Sequence, residues 1–172
     1  MKFERRAKKM FFVKEINAKE DLKLMDDIVR HENEVFGDAS VGRWNIKPFA
    51  KYGKVFVVVK SNMAEGKEEE LVSAVEVLPS FEPGTAYIYG VSTVPMYERQ
   101  GHMKRLLEYT MEYLCKIGIT NIELTVSVEN VRAQEIYGKL GFEAVEELEN
   151  EYGENVNRYL MRYTGKNTLI IK

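Results

Sequence analysis

Cysteine is almost missing from this 172-residue chain; Cys115 stands alone. That excludes an intrachain disulfide and a cysteine-cluster metal centre, and a reducing, cytoplasmic setting is the expectation. Histidine is nearly as scarce. His31 and His102 lie far apart in sequence, which argues against a zinc site, and no metal is expected. Long apolar runs are missing as well. The longest, Val55-Phe56-Val57-Val58-Val59, is far too short to cross a bilayer, so no membrane partner is expected. Neither charge sign dominates: 25 basic residues face 27 acidic ones, for a net charge of −2. A chain that coats nucleic acid carries a clear basic surplus, so nucleic acid is not the expected partner. Only residues 1–10, with five basic groups and one acidic group, would suit a nucleic-acid or ribosome-facing arm. That stretch is followed by just Met10-Phe11-Phe12-Val13 before Lys14, which is not a secretory signal.

What the chain does have is core-forming material. It is 45% hydrophobic and 30% charged, and its length suits one compact unit that buries about 70% of its unfolded surface. No repeat or Pro/Ser-rich linker divides it. Two acidic stretches, Glu65–Glu70 and the six glutamates from Glu143 to Glu154, read as solvated turns.

The periodicity gives an element order. Met10–Ile16 reads as a strand, and Asn17-Ala18-Lys19-Glu20 as the capped start of a helix running to His31. Residues 32–52 suit a short helix and loop. Trp44, with Phe36, Phe49 and Tyr52, reads there as core or hairpin cover, the alternative being part of a substrate pocket. Lys54–Lys60 and Leu71–Leu78 form a predicted hairpin about a polar Asn62–Glu70 turn, and Ala86–Val94 is a strand stopped by Pro95. Met103, Leu106, Leu107, Met111, Leu114 and Ile117 share a helical face that Gly118 ends. Cys115 on this helix reads as a packing residue. Ile122–Val128 alternates as a half-buried strand, Asn130 caps a helix ended by Gly141, and Asn157–Thr164 closes the sheet. The order β-α-(α)-β-β-β-α-β-α-β-β predicts an α+β fold around a mixed sheet.

The stretch Thr93-Val94-Pro95-Met96-Tyr97-Glu98-Arg99-Gln100-Gly101-His102-Met103-Lys104 carries the first chemical signal. A strand ends at a proline, a polar turn follows, and a glycine opens an amphipathic helix. The first turn of a helix has free N–H groups and the positive end of the dipole, so it suits a diphosphate. Gly101 allows close backbone approach, and Arg99, Lys104 or Arg105 can add charge.

The second signal lies one strand downstream. Asn130-Val131-Arg132-Ala133-Gln134-Glu135-Ile136-Tyr137-Gly138-Lys139-Leu140-Gly141-Phe142 resembles the signature of the GNAT (GCN5-related N-acetyltransferase) superfamily, which reads N-x-x-A-x-x-hydrophobic-Y-x-x-x-G-F. The likeness is good from Leu71 to Phe142 and looser to Thr164. It implies one acetyltransferase-like domain over residues 1–172, with a mostly antiparallel central sheet flanked by helices. It also implies acetyl transfer from acetyl-CoA to a primary amine of a small molecule or peptide, by direct attack in a ternary complex.

The resemblance assigns roles residue by residue. Backbone N–H groups of Arg99, Gln100, Gly101, His102, Met103 and Lys104 would cradle the pyrophosphate. Thr93 and Val94 would pair with the pantetheine arm, at a strand that splays from Ile122–Val128. Asn130 would hydrogen-bond the pantetheine, beside Ala133 of the same motif. Tyr137 would protonate the leaving thiolate; a phenol is protonated at neutral pH, while a thiolate collects a proton. His102 is expected to face solvent or the phosphates. The base stays open: the family position falls on Tyr87, while Glu76, Glu32 and Glu34 are the nearby carboxylates, acting directly or through water, and Glu76 is the first choice. Two departures stand out. The family loop Q/R-x-x-G-x-G/A here reads Glu98-Arg99-Gln100-Gly101-His102-Met103, with an acid first and a bulky residue last. These motivate an alternative from another class, a non-catalytic acyl-CoA-binding sensor on the same fold. A homodimer is compatible with such a domain.

Overall fold

The computed structural model describes residues 9–62 and 68–163. The elements are β1 (Lys9–Glu15), α1 (Leu22–Phe36), α2 (Gly42–Tyr52), β2 (Lys54–Asn62), β3 (Glu69–Pro79), β4 (Thr85–Thr93), α3 (His102–Lys116), β5 (Asn121–Ser127), α4 (Val131–Lys139), β6 (Phe142–Leu148) and β7 (Arg158–Tyr163). Short 3-10 turns occupy Gly37–Ala39 and Pro95–Tyr97. The strands are hydrogen-bonded in the order β1-β2-β3-β4-β5-β7-β6. Pairing is antiparallel for β1–β2, β5–β7 and β6–β7 and parallel for β4–β5, the mixed α+β arrangement that the element order predicts. The predicted arm over residues 1–10 and the Asn62–Glu70 turn fall largely outside the described residues.

The chain divides into two compact units, one of residues 1–76 and 90–106, the other of residues 77–89 and 107–172. In the first, Val55–Val59 of β2 is wholly buried, the reason five consecutive apolar residues stand there. Ile28, Val29 and Met25 of α1, Val41, and Ile46 of α2 pack with alternate residues of β2. In the second, Ile122, Leu124 and Val126 point inward from β5 and the intervening residues do not, as the alternation demands.

Four sequence expectations are corrected. Helix α1 starts at Leu22, five residues past Asn17, because Asn17 Oδ1 accepts the Lys19 N–H at 2.9 Å in a local turn instead of capping a helix. It also continues five residues past His31, to Phe36. Half of the Glu143–Glu154 stretch is strand, and Glu143, Glu146 and Glu147 are exposed on β6. The third correction concerns Trp44, which is 88% exposed on α2 and so is no core residue. Cys115, the fourth, is exposed because the buried face of α3 runs through Leu106, Leu107, Thr110, Met111 and Leu114.

Candidate active site

In the first unit, β4 leads through the Pro95–Tyr97 turn into α3. The turn is pinned by Val94 N–H donating to Val72 O at 2.9 Å and by Tyr97 N–H donating to Val94 O at 2.8 Å. Tyr97 is buried. Its hydroxyl accepts from Lys60 Nζ at 2.6 Å and donates to Glu70 Oε1 at 2.5 Å, while Lys60 and Glu70 pair at 2.7 Å. Burial raises the Tyr97 phenol, so it stays a donor to Glu70. Three side chains thereby hold the loop's first turn against β2 and β3.

Beyond Tyr97 the backbone twice enters the left-handed region, at Arg99 (φ 60°) and Gly101 (φ 82°). A glycine takes this conformation freely, whereas Arg99 is strained by about 1–2 kcal/mol. Strain of this kind collects at binding sites. A Cβ built on Gly101 would meet nothing within 4 Å, so the backbone here lies open to a ligand. The α3 ladder opens with Arg105 N–H donating to Gly101 O at 3.1 Å. The N–H groups of a helix's first turn have no carbonyl of their own helix to bond. An open, unacidic helix start after two left-handed residues fits an anionic phosphate.

Around the loop, the His102 and Arg105 side chains have neighbours of their own in β1. The His102 ring stacks on Phe11, with centroids 4.7 Å apart and a tilt of 33°, and meets Tyr97 edge-on at 6.2 Å. Its Nε2 is enclosed without a protein partner, although the residue as a whole is only partly buried. Burial, and then Arg105, lowers its pKa and keeps the imidazole neutral. Arg105 reaches back to Phe11 O at 3.3 Å, and Gln100 folds onto Met96 O at 3.0 Å. Arg99 and Glu98 are exposed on the loop, and Met103 is partly covered.

On β4 itself, Ser73 Oγ donates to Ser92 O at 2.6 Å and meets Thr93 Oγ1 at 2.9 Å, fixing the strand end that carries Thr93 and Val94. Under the same strand lie two glutamates, Glu76 at 0% and Glu32 at 1% exposure. Glu32 Oε2 accepts the Val41 N–H at 3.1 Å and Oε1 accepts from Ser92 Oγ at 3.4 Å. Burial, then the facing Glu32, pushes Glu76 well above the usual carboxylate range; burial also raises Glu32. Glu34 is exposed and stands apart from this pair.

In the second unit, the β4–β5 ladder pairs Thr85–Ile88 with Asn121–Leu124. Tyr87, at the family's carboxylate position, shares a hydrogen bond with Thr125 Oγ1 at 2.9 Å, and burial pushes its phenol up to about 12. Asn130 caps α4 as predicted, its Oδ1 accepting the Ala133 N–H at 3.1 Å. One and two turns on, Gln134 braces the end of β5 by donating to Ser127 O and Val128 O, and Tyr137 faces inward at 8% exposure. Its ring meets Phe142 edge-on at 6.0 Å, and burial pushes its phenol up to about 12 against the opposite pull of Arg158.

A model of the Acetyltransferase (GNAT) family matches residues 23–142. The chain belongs to that family. It is an acetyltransferase, as the Asn130–Phe142 signature implied. No curated protein matches its sequence. Among solved structures, the ribosomal-protein-S18-alanine N-acetyltransferase from Escherichia coli is similar at TM-score 0.66 and 21% identity, over 90% of this chain and 93% of that one. Arabidopsis thaliana NAA60 in complex with acetyl-CoA gives TM-score 0.75 and 19% identity, over 90% and 99%. Ard1 from Thermoplasma volcanium gives 0.72 and 16%, over 88% and 95%. At these identities the likeness is one of fold. Among the described residues no helix is long and apolar enough to cross a membrane, and no group of three metal-ligating side chains converges.

Sequence reasoning missed the Lys60–Glu70–Tyr97 network and the facing of Glu32 and Glu76. The second had a signal: a glutamate inside the apolar run Val72–Leu78 has no solvent to point at on either side of a covered strand.

Proposed function

We propose that this GNAT-family chain binds acetyl-CoA and transfers its acetyl group to a primary amine, by direct attack while both substrates are held. The observation that carries this reading is the Arg99–Gly101 loop, open at Gly101 and leading into the start of α3. When bound, the donor supplies an activated thioester. The N–H groups from Arg99 to Lys104 hold its pyrophosphate, with Arg99 as an exposed cation beside them. Thr93 and Val94, whose strand end is fixed through Ser73, align the pantetheine arm. The amide N–H of Asn130 is left for the donor while its oxygen caps α4.

Tyr137 keeps its proton throughout the neutral range and is placed on the acid side of the reaction. The burial that raises its phenol raises a thiolate in the same surroundings, so the two stay matched. An ammonium acceptor must lose two protons in becoming an amide. One refills Tyr137 Oη and the other leaves to solvent or to a base. Glu76, wholly enclosed and with burial favouring its protonated form, acts through Glu32 and β4 instead of touching the amine. The acceptor class stays as broad as a primary amine on a small molecule or a peptide, and a cytoplasmic setting remains the expectation for a chain with one cysteine.

The test is calorimetric titration with acetyl-CoA beside free CoA, followed by thiol release over a panel of free amino acids, polyamines and N-terminal peptides. Micromolar donor binding and release with at least one acceptor are expected. Absence of binding up to millimolar donor overturns the reading. Binding without turnover on any amine would favour the acyl-CoA sensor, for which the exposed Glu98 at the phosphate loop is the structural motive.

A further inference from the structure

Glu32 comes from α1 and Glu76 from the middle of β3, and both reach the same face of β4. A Cβ built on Gly90 would lie 2.5 Å from Glu76 Oε2 and 3.6 Å from Glu32 Oε1. Ser92, two residues along and therefore on the same face, donates to that same Glu32 oxygen at 3.4 Å. Glycine at position 90 is thus the space into which the two carboxyls fit. Neither oxygen of Glu76 accepts from another residue's N–H or hydroxyl among the described residues; the one backbone N–H near its carboxyl is its own. An ionised Glu76 would be a bare charge sealed from water, a state proteins avoid by retaining the proton. The acceptor for that proton is Glu32, whose charged form is supported by the Val41 N–H and the Ser92 hydroxyl.

The groups facing the pair are few. From α1 comes Glu32, from β3 Glu76, from β4 the Ser92 hydroxyl, and from the turn before α2 the Val41 N–H. Neither lysine nor arginine acts on either carboxyl among the described residues. His31, next to Glu32 in sequence, feels Glu34 and Glu98 instead, and burial keeps it neutral. No cation among these groups offsets a second negative charge. Two carboxylates this close cannot both ionise without parting.

We propose that Glu32 and Glu76 form a one-proton carboxyl clamp that sets the position of the β4 segment Gly90–Val94, so that loss of the shared proton weakens donor binding along that strand. The clamp joins α1, the turn into α2, β3 and β4 through one hydrogen. The link to the donor rests on the function proposed above; the clamp itself does not. Glu32 and Glu76 are positioning residues here, since neither is required to touch a substrate.

The sign of the effect follows from linkage. A carboxyl whose folded pKa is raised contributes stability below its unfolded value, and that stability is lost as pH rises through the folded value. Denaturant unfolding of the wild type and Glu76→Gln, from pH 5 to pH 9, tests the clamp. Glutamine can still donate to Glu32 but holds no titrating proton. The wild-type unfolding constant should rise relative to that of Glu76→Gln by about tenfold per pH unit within the window. Parallel profiles overturn the clamp. Calorimetry with acetyl-CoA at pH 6.5 and 9 tests the link. Wild-type affinity should fall at least about fivefold more than that of Glu76→Gln over this range; an equal fall overturns the link. A wild type that binds no donor at either pH, with the unfolding profiles still diverging, removes the donor reading and the link but upholds the clamp. Should Glu76→Gln not fold, infrared spectra of the wild type decide. A protonated carboxyl band at neutral pH that vanishes reversibly at high pH supports the clamp, and its absence at neutral pH overturns it.

Discussion

Asn130 Oδ1 accepts the backbone N–H of Ala133 at 3.1 Å. Within the signature segment, these two residues make the start of α4 self-supporting: the oxygen satisfies one of the helix's open donors and the amide nitrogen remains for something else. The two halves of one side chain can therefore be tested separately. Asn130→Ala should cost about 1 kcal/mol, a Tm drop of about 2–4 °C. Asn130→Asp keeps the capping oxygen and should hold Tm, yet weaken acetyl-CoA binding about tenfold by losing the N–H and adding like charge. Thermal denaturation and calorimetry on both variants check this. Equal donor affinity in Asn130→Asp and wild type would leave Asn130 as a cap alone.

Tyr137→Phe should lower kcat about a hundredfold while leaving the donor Kd nearly unchanged, because a general acid acts on the transition state and not on ground-state binding. Its raised phenol also fixes a pH effect. Stability from a group raised from 10.0 to about 12 is whole below pH 10 and is lost as pH climbs from there through about 12. Spectrophotometric titration should show Tyr137 and Tyr87 ionising last, both near 12, and the variant should lose about half of that late component. An undiminished kcat would remove the acid role.

Arg99→Gly should separate stability from binding. Relief of the left-handed strain at φ 60° outweighs the added flexibility of glycine, so stability should rise by up to about 1 kcal/mol. Donor affinity should fall severalfold with the lost cation, and by less at high salt, where exposed charges are screened. A rise in Tm with unchanged Kd at low salt would show that Arg99 does not serve the phosphates.

Tyr97→Phe removes the hydroxyl between Lys60 and Glu70 but leaves their 2.7 Å pair in place. The expected cost is about 1 kcal/mol. Because Tyr97 ends the turn that sets the loop's path, acetyl-CoA binding should weaken severalfold, with the acceptor KM unmoved. If Tm drops while donor affinity holds, the network supports the fold and not the loop.

Much of the architecture is legible in the order of the amino acids. Most strands and helices among the described residues follow from alternation, as in Ile122–Val128, from the α3 stripe and from the glycine stops. The Asn130 cap follows from a polar residue placed before a helical run. Where the pattern misleads, a local competitor intervenes. Asn17 has a nearer N–H to accept, at Lys19, than any helix offers. Cys115 sits one residue past Leu114, and one step of about 100° moves it from the covered face to solvent. For Trp44, composition suggests burial, but α2 turns Ile46 inward and leaves Trp44 in water.

Short-range pattern is enough for most of the strand and helix segments, for the glycine-opened loop before α3, and for the Asn–Tyr–Gly–Phe signature of the acetyltransferase family. Tertiary structure alone decided what depends on residues far apart in the chain. It brought Glu32 to face Glu76, 44 positions later, under Gly90. It turned His102 onto Phe11 and tied Tyr97 to Lys60 and Glu70. A carboxyl's protonation is set by the water and charge around it, and those are properties of the packed core, which no sequence spacing encodes.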